Sequence, residues 1–167
     1  MIVGYLVVYH FNPTIINSDM RHKGSLSQLM KGRNQDLYDN FCLLTKRHLE
    51  MYGRICKTLI LAQLVNSTSK RYWISPERAY AVVSQIRKGT LNVNPNKTIC
   101  RLYYSLYDDF KKYKAIHPEI PDTRAVEEVI HQPAPCFGLE PRVAGIIIRK
   151  MSKQCQVEKI RRLMSRF

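Results

Sequence analysis

Residues 64–88 read LVNSTSKRYWISPERAYAVVSQIRK, and residues 129–153 read VIHQPAPCFGLEPRVAGIIIRKMSK. Superposed at a constant shift of 65 positions, without a gap, the two stretches agree in apolar class. Leu64 and Val65 fall on Val129 and Ile130, Tyr72 on Phe137, Ile74 on Leu139, Pro76 on Pro141 and Ala79 on Ala144. Val82, Val83 and Ile86 then fall on Ile147, Ile148 and Met151. The same shift reaches upstream, placing Leu37 and Tyr38 on Leu102 and Tyr103, Phe41 on Leu106, and Lys46-Arg47 on Lys111-Lys112. Self-similarity of this kind marks a repeated structural unit. Positions that match are read as shared core, and positions that differ are free to carry function.

The unit reads as helix, helix, extended loop, helix. Residues 36–52 place Leu37, Phe41, Leu44 and His48 on one stripe, the spacing of an amphipathic helix. Gly53 breaks it, and residues 54–65 continue with Ile55, Leu59, Leu61, Leu64 and Val65 as a second helix. Residues 71–74 (RYWI) have extended propensity. Ser75-Pro76-Glu77 then combines a hydroxyl cap, a proline for the first helical position and an early carboxylate. The third helix buries Ala79, Val82, Val83 and Ile86, and Gly89 ends it. In the second copy, Ile99, Leu102, Tyr103, Leu106 and Phe110 line the first helix, and His117-Pro118 closes it. Asp122 or Thr123 caps the second helix, and the third starts near Glu140.

These readings give an all-α fold of two tandem three-helix units, helix-turn-helix-like in order, plus a basic C-terminal helix. Residues 1–30 form an N-terminal extension, 31–90 the first repeat, 91–153 the second, and 154–167 the basic amphipathic helix. Residues 1–11 are apolar and strand-like and residues 17–27 are polar; Met20 or Met30 is an alternative native start. The connection of about nine residues between the second and third helices exceeds the usual three or four of a DNA-reading helix-turn-helix.

Lys and Arg number 27 against 13 Asp and Glu, a formal net charge of +14 among 167 residues. Such an excess repels itself unless a polyanion neutralises it, which makes nucleic acid the expected partner, DNA favoured over RNA. The five cysteines are odd in number, widely spaced and without a CxxC pair, a pattern of reduced thiols in a cytoplasmic protein. Residues 1–11 lack a basic leader and are too short to span a bilayer, so no membrane role is expected.

The comparison of the two copies locates candidate contacts. Trp73 stands opposite Gly138, and Lys70, Arg71 and Arg78 stand opposite Pro135, Cys136 and Val143. The first loop thus carries cations and an indole that the shared fold does not require. Cations beside an exposed indole suit phosphate contact and base stacking; the competing reading is that Trp73 packs against the other copy. Arg87 and Lys88, Lys111 and Lys112, and Arg149, Lys150, Arg161 and Arg162 extend the footprint, which would track a backbone with little reading of sequence.

Enzymatic chemistry finds no motif. There is no phosphate-cradling glycine loop, no HExxH and no nucleophile elbow. Asp108-Asp109 and Glu127-Glu128 are adjacent acids that diverge on a helix, and His131 and Cys136 lack a second ligand pair, so neither a metal nor another cofactor is expected.

The stretch RYWISPERA at residues 71–79, echoed by PAPCFGLEPRVA at 133–144, resembles small basic proteins of phage-like and mobile elements in gut anaerobes. Some of these are thought to be small-terminase-like DNA-binding factors. The resemblance spans residues 32–152 and implies no site residues. Two functions are carried forward. One is non-enzymatic nucleic-acid binding through backbone electrostatics; the other is a helical assembly module, a homo-oligomer of small-terminase type with an acidic protein partner.

Overall fold

The computed structural model describes residues 19–94 and 97–164, and the strand expected at residues 1–11 lies outside them. Six helices make up the described chain: α1 Asp19–Tyr52, α2 Lys57–Val65, α3 Pro76–Arg87, α4 Thr98–Ile116, α5 Asp122–Val129 and α6 Pro141–Met164. No strand occurs among the described residues. The extended propensity of residues 71–74 is expressed only as loop, beside a single antiparallel bridge between Ser69 and Ala134.

Local chemistry accounts for the ends. Ser75 caps α3 by accepting from the Arg78 backbone N–H, Pro76 occupies the first turn, and Gly89 takes a positive φ of 68° just beyond the Lys88 cap. Gly53 likewise adopts a φ of 63° where α1 stops. Four boundaries differ from the sequence reading. The polar residues 19–27 belong to α1, which runs unbroken from Asp19. The second helix opens at Lys57 rather than at residue 54, and Pro121 rather than Asp122 or Thr123 holds the cap position of α5, with no side-chain cap. The basic tail is not a separate helix: α6 continues without a break to Met164, because nothing between Ser152 and Met164 interrupts helical geometry.

The described helices form two bundles. α6 packs on α1 and α2, whereas α3 packs on α4 and α5. One core joins Ala79, Val82, Leu106, Phe110 and Val126, with Tyr72 inserted from the connecting loop. The other joins Leu37, Leu64, Ala144 and Ile148, with Phe137 inserted from its own loop. Each long connection therefore carries the chain from one bundle to the other, which a three-residue turn could not span.

Where the two connections meet, they hydrogen-bond in matched pairs. Ser69 and Ala134 exchange N–H···O bonds of 2.9 and 3.1 Å. Tyr72 N donates to Ile130 O at 3.1 Å, and Phe137 N donates to Val65 O at 3.2 Å. Ser69 and Ala134 stand 65 positions apart, and the Tyr72–Ile130 and Phe137–Val65 bonds map onto each other at that shift, as do the starts of α2 and α5 and those of α3 and α6.

Candidate nucleic-acid interface

Trp73 is half-buried, and its surroundings hold it there. Its indole N–H donates to Asp36 Oδ2 at 2.9 Å, and its ring lies so close to Gly32 that a Cβ there would come within 2.6 Å of the six-membered ring. Asp36 is itself buried and also accepts from the Lys70 backbone N–H at 2.9 Å and from the Asn40 amide. The indole thus bridges the loop and α1, with part of its surface still exposed. It satisfies a buried carboxylate, which would otherwise be costly to leave unpaired.

The cations around it are spoken for to different degrees. Lys70 Nζ lies 3.4 Å from Asp39 and 3.9 Å from Asp36. Arg78 rests over the Tyr103 ring and reaches its hydroxyl at 3.4 Å. Arg71 stacks on Trp73, with 5.5 Å between guanidinium and ring centroid; its Nε is buried without a hydrogen-bond partner, and burial lowers its pKa.

Other predicted contacts are paired within the chain. Arg87 meets Asp122 at 2.9 Å, Lys111 meets Asp108 at 2.8 Å, Lys112 meets Asp109 at 3.1 Å and Arg162 meets Glu158 at 3.9 Å. The Arg87 guanidinium, helped by Lys114, holds the Asp122 carboxyl below the usual range, and Asp108 raises the Lys111 pKa. These pairs are exposed, so each stabilises little and exchanges readily with other anions. Lys88 stands exposed at the end of α3, while Arg149 turns its Nε back to the Gly145 carbonyl at 3.3 Å and Lys150 is exposed beside it.

A grouping that the sequence alone does not reveal lies between α1 and α6. A groove of about 640 Å³ is lined by Lys31, Asn34 and Gln35 from α1 and by Lys153, Gln154 and Arg161 from α6, among others. No carboxylate pairs with Lys31, Lys153 or Arg161 among the described residues, although Glu158 also borders the groove. Of the predicted contacts only Arg161 enters it. Lys31 and Lys153 are more than a hundred residues apart in the chain, and no helical period connects them.

Tyr72 is a buried plug, as is Phe137. Its hydroxyl donates to Asp109 at 2.6 Å and lies 3.0 Å from Ser105; burial, reinforced by Asp109, raises its pKa well above the ordinary tyrosine value. Among the described residues no three His, Cys, Asp or Glu converge as a metal-binding group. Cys136 is buried, which raises its thiol pKa, while His131 is exposed. No helix among the described residues is long and apolar enough to cross a membrane. Comparison with protein-family models, with curated proteins and with solved structures returns no match.

Proposed function

We propose that this chain is a non-enzymatic nucleic-acid-binding protein, DNA favoured over RNA, that engages the phosphate backbone along the groove between α1 and α6. The observation that carries the reading is the convergence there of Lys31, Lys153 and Arg161 with the side-chain amides of Asn34, Gln35 and Gln154. Cations without carboxylate partners attract phosphate, and amides beside them add neutral donors that position it without reading bases. The formal net charge of +14 supports the same reading. Trp73 belongs to the scaffold in this scheme, holding the Lys70–Arg71 loop against α1.

The same reading takes the chain as two copies of one helix–helix–loop–helix unit that have exchanged their third helices. The paired hydrogen bonds at Ser69/Ala134 and at Tyr72/Phe137, each related by the 65-residue shift, support it. Exchange of identical elements is a low-cost route to a two-fold assembly, and here both units would lie on one chain.

The deciding experiment is fluorescence anisotropy with labelled single- and double-stranded oligonucleotides across a salt series. The unmodified protein should bind with an affinity that falls linearly, on logarithmic axes, with salt. Each duplex phosphate contact contributes about 0.9 to that slope, so Lys31→Ala/Lys153→Ala/Arg161→Ala should bind more weakly with a slope shallower by about 2 to 3. Absence of binding at low salt, or an unaltered slope in the triple variant, would sink the proposal.

A second reading, the assembly module, is favoured by one observation. Away from the groove, α6 leaves Val143, Ile146, Ile160 and Met164 exposed, apolar side chains of the kind that mark contact surfaces. Analytical ultracentrifugation of the protein and of Ile146→Asp/Ile160→Asp decides between a self-associating chain and a monomer.

A further inference from the structure

The elbow where α1 turns into α2 differs sharply from the corresponding elbow between α4 and α5, a comparison that rests on the two-copy reading but not on nucleic-acid binding. In the second elbow the chain closes on itself. Lys114 Nζ donates to the Pro118 carbonyl at 3.0 Å and to that of Ile120, and pairs with Asp122. Ile120 and Tyr113 pack against the core, and Pro118 and Pro121 stiffen the turn.

The first elbow has lost each of these devices. At the 65-residue shift Leu49 replaces Lys114, so no ammonium ties the turn carbonyls; Gly53 and Cys56 replace the two prolines. Ile55, the counterpart of Ile120, keeps more than half its surface exposed, as do Tyr52 and Leu59. What remains is a cleft of about 590 Å³ lined by His48, Tyr52, Arg54, Ile55, Leu59 and Gln63. Its polar members are already arranged: His48 Nε2 lies 2.8 Å from Gln63 Oε1, and the His48 ring is tilted against Tyr52 with centroids 5.3 Å apart. The volume falls within the range of binding clefts, and the walls are mostly apolar.

We infer that this cleft docks an aliphatic side chain carried on an acidic segment of a partner protein. The aliphatic part follows from the second elbow, which packs an isoleucine from its own turn against its core. The acidic part follows from charge. Arg54 lines the cleft and Lys57 opens α2 beside it, and neither has a carboxylate partner among the described residues; the nearby Glu50 is engaged by Lys46 at 3.9 Å. A partner that seats an aliphatic anchor and places carboxylates on Arg54 and Lys57 satisfies both features. A basic partner would be repelled by Arg54 and Lys57, and a polyphosphate supplies no aliphatic anchor.

The test uses the full-length protein and a fluorescein-labelled, glutamate-rich amphipathic peptide bearing isoleucines along one face, against the same peptide with serine at those positions. The isoleucine peptide should bind, and the serine peptide should bind about tenfold or more weakly, the loss expected for one buried aliphatic anchor. Ile55→Asp and Leu59→Asp, both at exposed positions that leave the cores untouched, should each weaken the isoleucine peptide by a similar factor. Neither should alter the salt-dependent oligonucleotide binding that reports on the α1–α6 groove. Failure of nucleic-acid binding would therefore leave this inference standing, and the reverse also holds. Four results would overturn it: no binding of the isoleucine peptide at millimolar concentration, equal binding of both peptides, insensitivity to Leu59→Asp, or loss of oligonucleotide binding in that variant. The last would assign the cleft to a nucleobase.

Discussion

Asp36 decides what Trp73 can do. A carboxylate this deeply buried requires donors, and it has three: the indole N–H, the Lys70 amide and the Asn40 amide. Gly32 completes the arrangement, because only the absence of a Cβ lets the indole approach α1 so closely. Gly32→Ala should therefore destabilise the fold despite gaining about 1 kcal/mol of helix propensity. The displaced ring would strain the Asp36 bond, and overpacking of this kind costs about 1–3 kcal/mol. Urea denaturation with the red shift of the Trp73 emission as a second readout checks this. Unchanged stability and emission would mean that the ring moves aside freely. In the sequence, Trp73 was visible as a departure from Gly138, which is what drew a functional reading; that Asp36 waits for it on α1 was not visible, since the two residues lie 37 positions apart.

At the scale of elements, starts and stops were the most legible part of the chain. The Ser75-Pro76 start and the Gly53 and Gly89 stops depend on neighbouring residues alone, and they stand where local chemistry puts them. The ties between elements were not legible. Arg87 at the end of α3 reaches Asp122 at the start of α5, and the guanidinium lowers the pKa of that carboxyl from its ordinary value of 3.8. A lowered folded-state pKa contributes stability that is present above the unfolded value and lost as the pH falls through the folded one. Asp122→Asn should accordingly cost on the order of 0.2–1 kcal/mol at pH 7, as exposed pairs do, and close to nothing at pH 2. Thermal melts at the two pH values test the difference, and a penalty of the same size at both would show that the tie is not electrostatic.

The whole molecule depends on which bundle each third helix joins. Since α3 completes a core with α4 and α5, and α6 completes one with α1 and α2, residues 1–96 expressed alone should lack their closing helix. They are expected to be poorly folded as a monomer, or to pair with a second copy by the same exchange. Adding residues 97–167 should then restore helicity and a cooperative melt, measured by circular dichroism and size-exclusion chromatography. A stable, cooperatively folding monomeric half would contradict the exchanged packing.

By itself the sequence determined that the described residues are helical, where α3 begins and where α1 and α3 end, which side chains are apolar on each helix, and that residues 64–88 and 129–153 follow one pattern. Those are properties of short spacing, set by helix periodicity, caps and glycines within a few residues of one another. Only the tertiary structure decided that α3 packs on α4 and α5 and that α6 packs on α1 and α2, because an apolar stripe fits either partner and helix period carries no information about which. It alone decided which cations are engaged, since Lys70 and Arg87 find their carboxylates more than thirty positions away. It also decided which stand together: Lys31, Lys153 and Arg161 become neighbours only where α1 lies against α6.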